Sequence, residues 1–208
     1  MVTSNTPHPA GPPSANAPHP ATFSALSLDD LTRILRAGQD EPGRGPSASA
    51  LQRAGFTAGE GLFREFAAGI PGKDPASLAG ERFWEVLARF FERRGWGRIS
   101  QSRVHPGMGL LTAWDWAETR NAETGHGRTE DGKTGHGGRG SAGCPISTGM
   151  LARVLGEVAQ GPVAVLQVAC PSRGDDACQF LFGHEDAVHR SYNLLREGVP
   201  LDHILEQV

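Results

Sequence analysis

Apolar positions at 47–68 recur at three- and four-residue steps. Leu51, Ala54, Gly55, Ala58, Leu62, Phe63 and Phe66 fall on one face, which predicts an amphipathic helix. Gly55 and Gly59 lie inside it, and each costs about 1 kcal/mol against Ala in a helix. A second helix packed closely against them, or room for a ligand, has to compensate. Phe83, Trp84, Leu87, Phe90 and Phe91 form a second stripe, predicting a helix over about 79–94 with Gly95 at its C-cap. The period then shortens to two. Residues 96–103 and 109–116 read as strands joined at His105-Pro106-Gly107, and strict alternation puts Trp114 and Trp116 on one face. A helix is predicted over 147–159, with Met150, Leu151, Val154, Leu155 and Val158 as its apolar face and Ser147 or Thr148 as its cap. Residues 163–169 are almost wholly apolar and read as a central strand. A polar turn at 171–176 leads to a returning strand at 179–182. Terminal helices follow at 185–197 and 200–207, with Tyr192, Leu194 and Leu195 as core or dimer contacts.

Two stretches break this pattern. Residues 1–22 hold six of the fifteen prolines and little apolar surface, the composition of a disordered tail. A short helix over 27–36, capped at Ser27, comes next. Residues 118–143 hold eight Gly, balanced charges and no Val, Ile, Leu, Phe or Trp, and Thr124–Gly127 recurs as Thr134–Gly137. So long a stretch is unusual as a connection and reads as a flexible surface insertion in a single domain spanning 23–208. Its His126 and His136 read as solvated side chains. Without the tail and the insertion, about 160 residues remain, enough for one buried core.

Charge and composition exclude more than they assign. A net charge of −3 gives no basic field for nucleic acid or an anionic membrane surface. No apolar run approaches the roughly 20 residues of a membrane span. The first 30 residues lack the pattern of a secretory signal, so the expected location is cytoplasmic. Neither phosphate-binding glycine motifs nor a nucleophile elbow nor HExxH is present. No acid–base pair is evident either: Asp115 and Glu118 flank Trp116 without a partner carboxylate.

The three cysteines carry the chemistry. Cys170 and Cys178 bracket the 171–176 turn, and a hairpin bends its ends together. Cys144 opens the helix that leads into the same hairpin. Three thiolates at one point make a soft site that suits Zn²⁺ and wants a fourth ligand. On spacing alone, buried unliganded thiols remain open as well.

Gly143-Cys144, a strand ending in Cys170, Arg173-Gly174-Asp175-Asp176 and Cys178-Gln179-Phe180 together resemble the 4-vinyl reductase-type domain, a small-molecule-binding family. The likeness covers about 40 residues directly and extends more loosely to the helices upstream. It implies an α/β (α+β) fold: an antiparallel sheet of about four strands with helices on one side, like the core of TRAPP tethering subunits. It implies a cavity for a small hydrophobic or aromatic molecule. It further implies a structural zinc held by Cys144, Cys170, Cys178 and an acidic residue three positions before the second cysteine. That position is Gln167 here, a poorer ligand than a carboxylate; water or His184 are the other candidates for the fourth place.

The function read from the sequence is therefore non-enzymatic binding or sensing of a small apolar or aromatic molecule. Phe83, Trp84, Leu87, Trp114 and Trp116 are the expected cavity walls, with the Trp indole N–H groups as anchors. The alternatives are a protein–protein adaptor of the tethering-subunit type and a tetrapyrrole vinyl-reduction enzyme or accessory protein. A protein partner and a homodimer are the remaining partner expectations.

Overall fold

The computed structural model describes residues 47–119, apart from 71, 73, 79 and 106, and residues 143–207. The expected tail, the helix at 27–36 and most of the insertion, with His126 and His136, lie outside the described residues. Helix α1 (Ala48–Ala68) is followed by a 3₁₀ turn (Pro75–Ser77), α2 (Gly80–Arg93), β1 (Arg98–His105) and β2 (Met108–Trp114). Then come α3 (Pro145–Ala159), β3 (Ala164–Ala169), a 3₁₀ turn (Pro171–Arg173), β4 (Cys178–Gly183), α4 (Glu185–Arg196) and α5 (Leu201–Gln207). The strands form one antiparallel sheet in the order β1-β2-β4-β3. The α+β architecture expected from the sequence is present.

Alternation along the strands builds two apolar layers. Ile99, Leu111, Ala113 and Phe180 face the main core, where they meet Phe66 of α1, the aromatic stripe of α2, and Met150, Leu151 and Val154 of α3. Their neighbours Leu110 and Leu181 face the other way, against Val188 of α4 and Leu205 of α5. The first three helices thus share one side, and the terminal pair adds a thinner layer on the opposite one. This explains a correction. β3 lies at the sheet's edge and not at its centre. Its near-continuous apolar sequence reflects cover on both faces, with Val165 in the main core and Leu166 and Val168 in the second cluster.

Close approach of α1 and α3 accounts for the helical glycines. A Cβ on Gly55 would overlap the carbonyl oxygen of Ile146, and one on Gly149 would overlap that of Gln52. A Cβ on Gly59 would sit 2.7 Å from Cβ of Arg153. The backbones therefore meet with no side chain between them, and α3 is held in place just beyond Cys144.

Candidate metal centre and ligand groove

Cys144, Cys170 and Cys178 are fully buried, and their sulfurs all lie within 4.8 Å of one another. Cys144 Sγ is 3.8 Å from Cys170 Sγ and 3.6 Å from Cys178 Sγ. A disulfide needs about 2.05 Å, so all three are free thiols. Each arrives from a different element: Cys144 is the N-cap of α3, Cys170 follows β3, and Cys178 opens β4 opposite Ala113.

Side chains hold the backbone of two of them. The Cys170 N–H donates to Asp175 Oδ2 at 2.6 Å, closing the turn in which Gly174 adopts φ 98°. The Cys144 N–H donates to Gln167 Oε1 at 2.7 Å. Gln167 Nε2 is buried and has no hydrogen-bond partner among the described residues. Hydrogen bonds from Cys144, Cys178 and Ser172 pull the Cys170 thiol far below the usual thiol range. Cys144, bonded to both neighbours and buried, is pushed far above it. A bound cation would displace the protons that these thiols hold.

The cap of α3 differs from the sequence expectation. The helix begins at Pro145, so Ser147 and Thr148 lie in its first turn. Cys144 makes no side-chain cap hydrogen bond. Glu118 supplies the acceptor instead: Oε1 accepts from Ile146 N at 3.0 Å, and Oε2 from Ser147 N at 2.8 Å and Ser147 Oγ at 2.5 Å. A carboxylate suits an N-terminus with several unpaired N–H groups. Burial nonetheless pushes the Glu118 pKa up to about 7, against the lowering effect of the Ser147 and Ile146 donors. The sequence assigned Glu118 to the insertion and gave it no partner. A cap reaching across 28 residues leaves no local periodicity to find it by.

The five expected cavity walls do not line one groove together. Phe83, Leu87 and Trp116 are buried in the main core, with Trp84 packed against it. Trp116 stacks edge-on against Phe91 at 5.4 Å and Trp96 at 5.5 Å. Its indole N–H donates to Ser147 Oγ at 2.7 Å, so it is not free to anchor a ligand. Trp114 is 36% exposed, on the side of the sheet opposite Ala113. The shared face expected for Trp114 and Trp116 fails because the strand ends at Trp114 and Asp115 turns the chain with φ 52°. Trp84 is the one of the five that lines an open groove of about 990 Å³ between α2 and the β1–β2 hairpin. It packs at 4.9 Å on Phe83 and at 5.4 Å on Phe182. Phe182 crosses Gly109, where a Cβ would sit 2.5 Å from the ring. Gln101, Arg103 and His105 of β1 supply polar groups to the same groove.

His184 is exposed and caps α4, its Nδ1 accepting from Asp186 N at 3.4 Å. It is not part of the group of potential ligand atoms that Cys144, Cys170 and Cys178 form. Tyr192 is exposed, with Arg196 over its ring, and is not a core residue. No helix among the described residues is long and apolar enough to cross a membrane.

No protein-family model and no curated protein matches the sequence. Solved structures are similar. The phenol-responsive sensory domain of the transcription activator PoxR, determined with phenol, superposes with a TM-score of 0.50 and 13% identity, over 76% of this chain and 73% of that one. The chain shares the fold of that sensory domain. A trafficking protein particle complex subunit 3 from Naegleria fowleri, covalently bound to palmitic acid, gives a TM-score of 0.46 at 15% identity over 76% of this chain and 91% of that one. A vinyl-4-reductase family protein from Methanocaldococcus jannaschii gives 0.36 at 15% identity over 79% and 98%.

Proposed function

We propose that this domain binds a small hydrophobic or aromatic molecule without transforming it, and that its three cysteines hold a structural zinc. The observation that carries the ligand reading is the groove with Trp84 and Phe182 at its wall and polar groups of β1 at its rim, the usual division of labour in a small-molecule site. The fold shared with a phenol-responsive sensory domain supports phenols as the first class to try. Burying one aromatic ring yields about 2–3 kcal/mol, so useful affinity needs the polar rim as well.

The donor set fits the metal. Sulfurs each about 2.3 Å from a tetrahedral zinc lie about 3.8 Å apart, and the Cys144 sulfur lies 3.8 and 3.6 Å from the other two. Zinc there would join the start of α3, the end of β3 and the start of β4, so that its ligation energy becomes folding energy.

Thermal shift against phenols, fatty acids and tetrapyrroles tests the ligand reading. A phenol or another aromatic should raise the melting temperature of the wild-type chain and leave Trp84→Ala unmoved. A flat response across the panel would sink the ligand reading and favour the adaptor role.

A further inference from the structure

We infer that the metal centre of this chain is a three-sulfur site whose fourth position takes an exchangeable monodentate donor, water or a small anion. Gln167 stands beside it as a positioning residue and not as a ligand. This rests on the metal reading above and deepens it.

The observation is the way Gln167 is used. Its Oε1 is engaged by the Cys144 N–H at 2.7 Å. That approach is built into the chain. Gly143, at φ 154°, carries no side chain, and a Cβ there would come within 2.7 Å of the same oxygen. A neutral amide oxygen already taken by a short hydrogen bond is a weak competitor for a cation held by three thiolates. The remaining candidates do not complete the set: His184 is exposed at the cap of α4, Asp175 holds the Cys170 N–H, and Glu118 is spent on Ile146 and Ser147.

A second observation points to a ligand from outside the chain. Gln167 Nε2 is a buried donor with no acceptor among the described residues. Buried polar groups left unpaired are rare in folded proteins, and an ordered water or ion is a standard remedy. An oxygen or anion bound in the fourth position would give this N–H its acceptor. Gln167 would then act twice, by orienting Cys144 through its backbone and by donating to whatever completes the coordination.

Cobalt(II) substitution of the full chain tests this, because sulfur-to-cobalt charge-transfer bands report thiolates and d–d bands report all the atoms bound to the metal. The wild type should show thiolate charge transfer, and added azide should shift the d–d bands without releasing cobalt. Gln167→Leu should keep both band positions while weakening metal affinity about 10–100-fold, the usual effect of losing a residue that orients a ligand. Gln167→Glu should restore the affinity and abolish the azide response, because its carboxylate can occupy the open place. Bands that change in Gln167→Leu, or an azide-silent wild type, would overturn the inference and leave the three-thiolate centre standing. Absence of any charge-transfer band would overturn both.

Discussion

Gly55→Ala adds one methyl group to α1 at the place where α1 and α3 touch. The new Cβ would overlap the Ile146 carbonyl oxygen and lie 2.8 and 2.9 Å from Ile146 C and Cα. All three are backbone atoms, so no rotamer change relieves the clash, and α3 has to move. Overpacking of this kind costs about 1–3 kcal/mol, and unyielding backbone contacts place it at or beyond the upper end. Ala gains about 1 kcal/mol over Gly in helix propensity. The net loss is then about 2 kcal/mol, or a fall of about 4–8 °C in melting temperature for a domain of this size. Gly61→Ala is the control. It lies in the same helix, and a Cβ there meets nothing within 4 Å. Only the propensity gain applies, so stability should rise by up to about 1 kcal/mol. Ile146 is two residues from Cys144, so Gly55→Ala should also weaken metal binding while Gly61→Ala leaves it unchanged. Calorimetry and urea titration of the two variants measure both effects. Equal stability gains in the pair would refute the close helix contact and the placement of Cys144 that depends on it.

Glu118 gives a pH dependence of definite sign. Its pKa is raised to about 7 from 4.5, so the folded chain holds the proton more tightly than the unfolded chain. That contribution is fully present below about pH 4.5 and is lost as pH rises through about 7, a decline of roughly 3 kcal/mol. Denaturant titrations of chelator-treated protein between these limits should show the decline, and Glu118→Gln should flatten it; a wild-type profile that rises with pH would contradict the buried cap. Trp116→Ala should cost about 3–5 kcal/mol, as for other buried aromatics, since it removes a core ring and the hydrogen bond its indole donates to Ser147 Oγ. Trp114→Ala, at an exposed position, should change stability by about 0.5 kcal/mol or less. Comparable losses for the two in urea unfolding would mean that Trp114 is buried after all.

What the sequence could disclose followed from local repetition. The stripe Phe83, Leu87, Phe90 and Phe91 specified α2, and all four side chains are buried. The convergence of the cysteines was legible because a hairpin must bring its two ends together, and Cys170 and Cys178 stand at those ends. Gly55 and Gly59 signalled close packing because glycine in a helix calls for compensation. The rest depended on contacts without a period. Alternation fails at one residue, Asp115, and with it the side on which Trp114 lies. β3 reads as central because apolar sequence reports cover on both faces, not position in the sheet. Glu118 reaches across 28 residues to cap α3, and the groove is made by α2, the β1–β2 hairpin and Phe182 of β4. No spacing in the chain encodes either.

The cysteine centre is tested most directly by the mass of the gently purified chain in native mass spectrometry. The sulfur separations predict one zinc per chain, removed by a chelator with a fall in melting temperature, and missing from Cys170→Ser. A wild-type mass equal to that of the bare polypeptide, with a melting temperature indifferent to chelator, would contradict it.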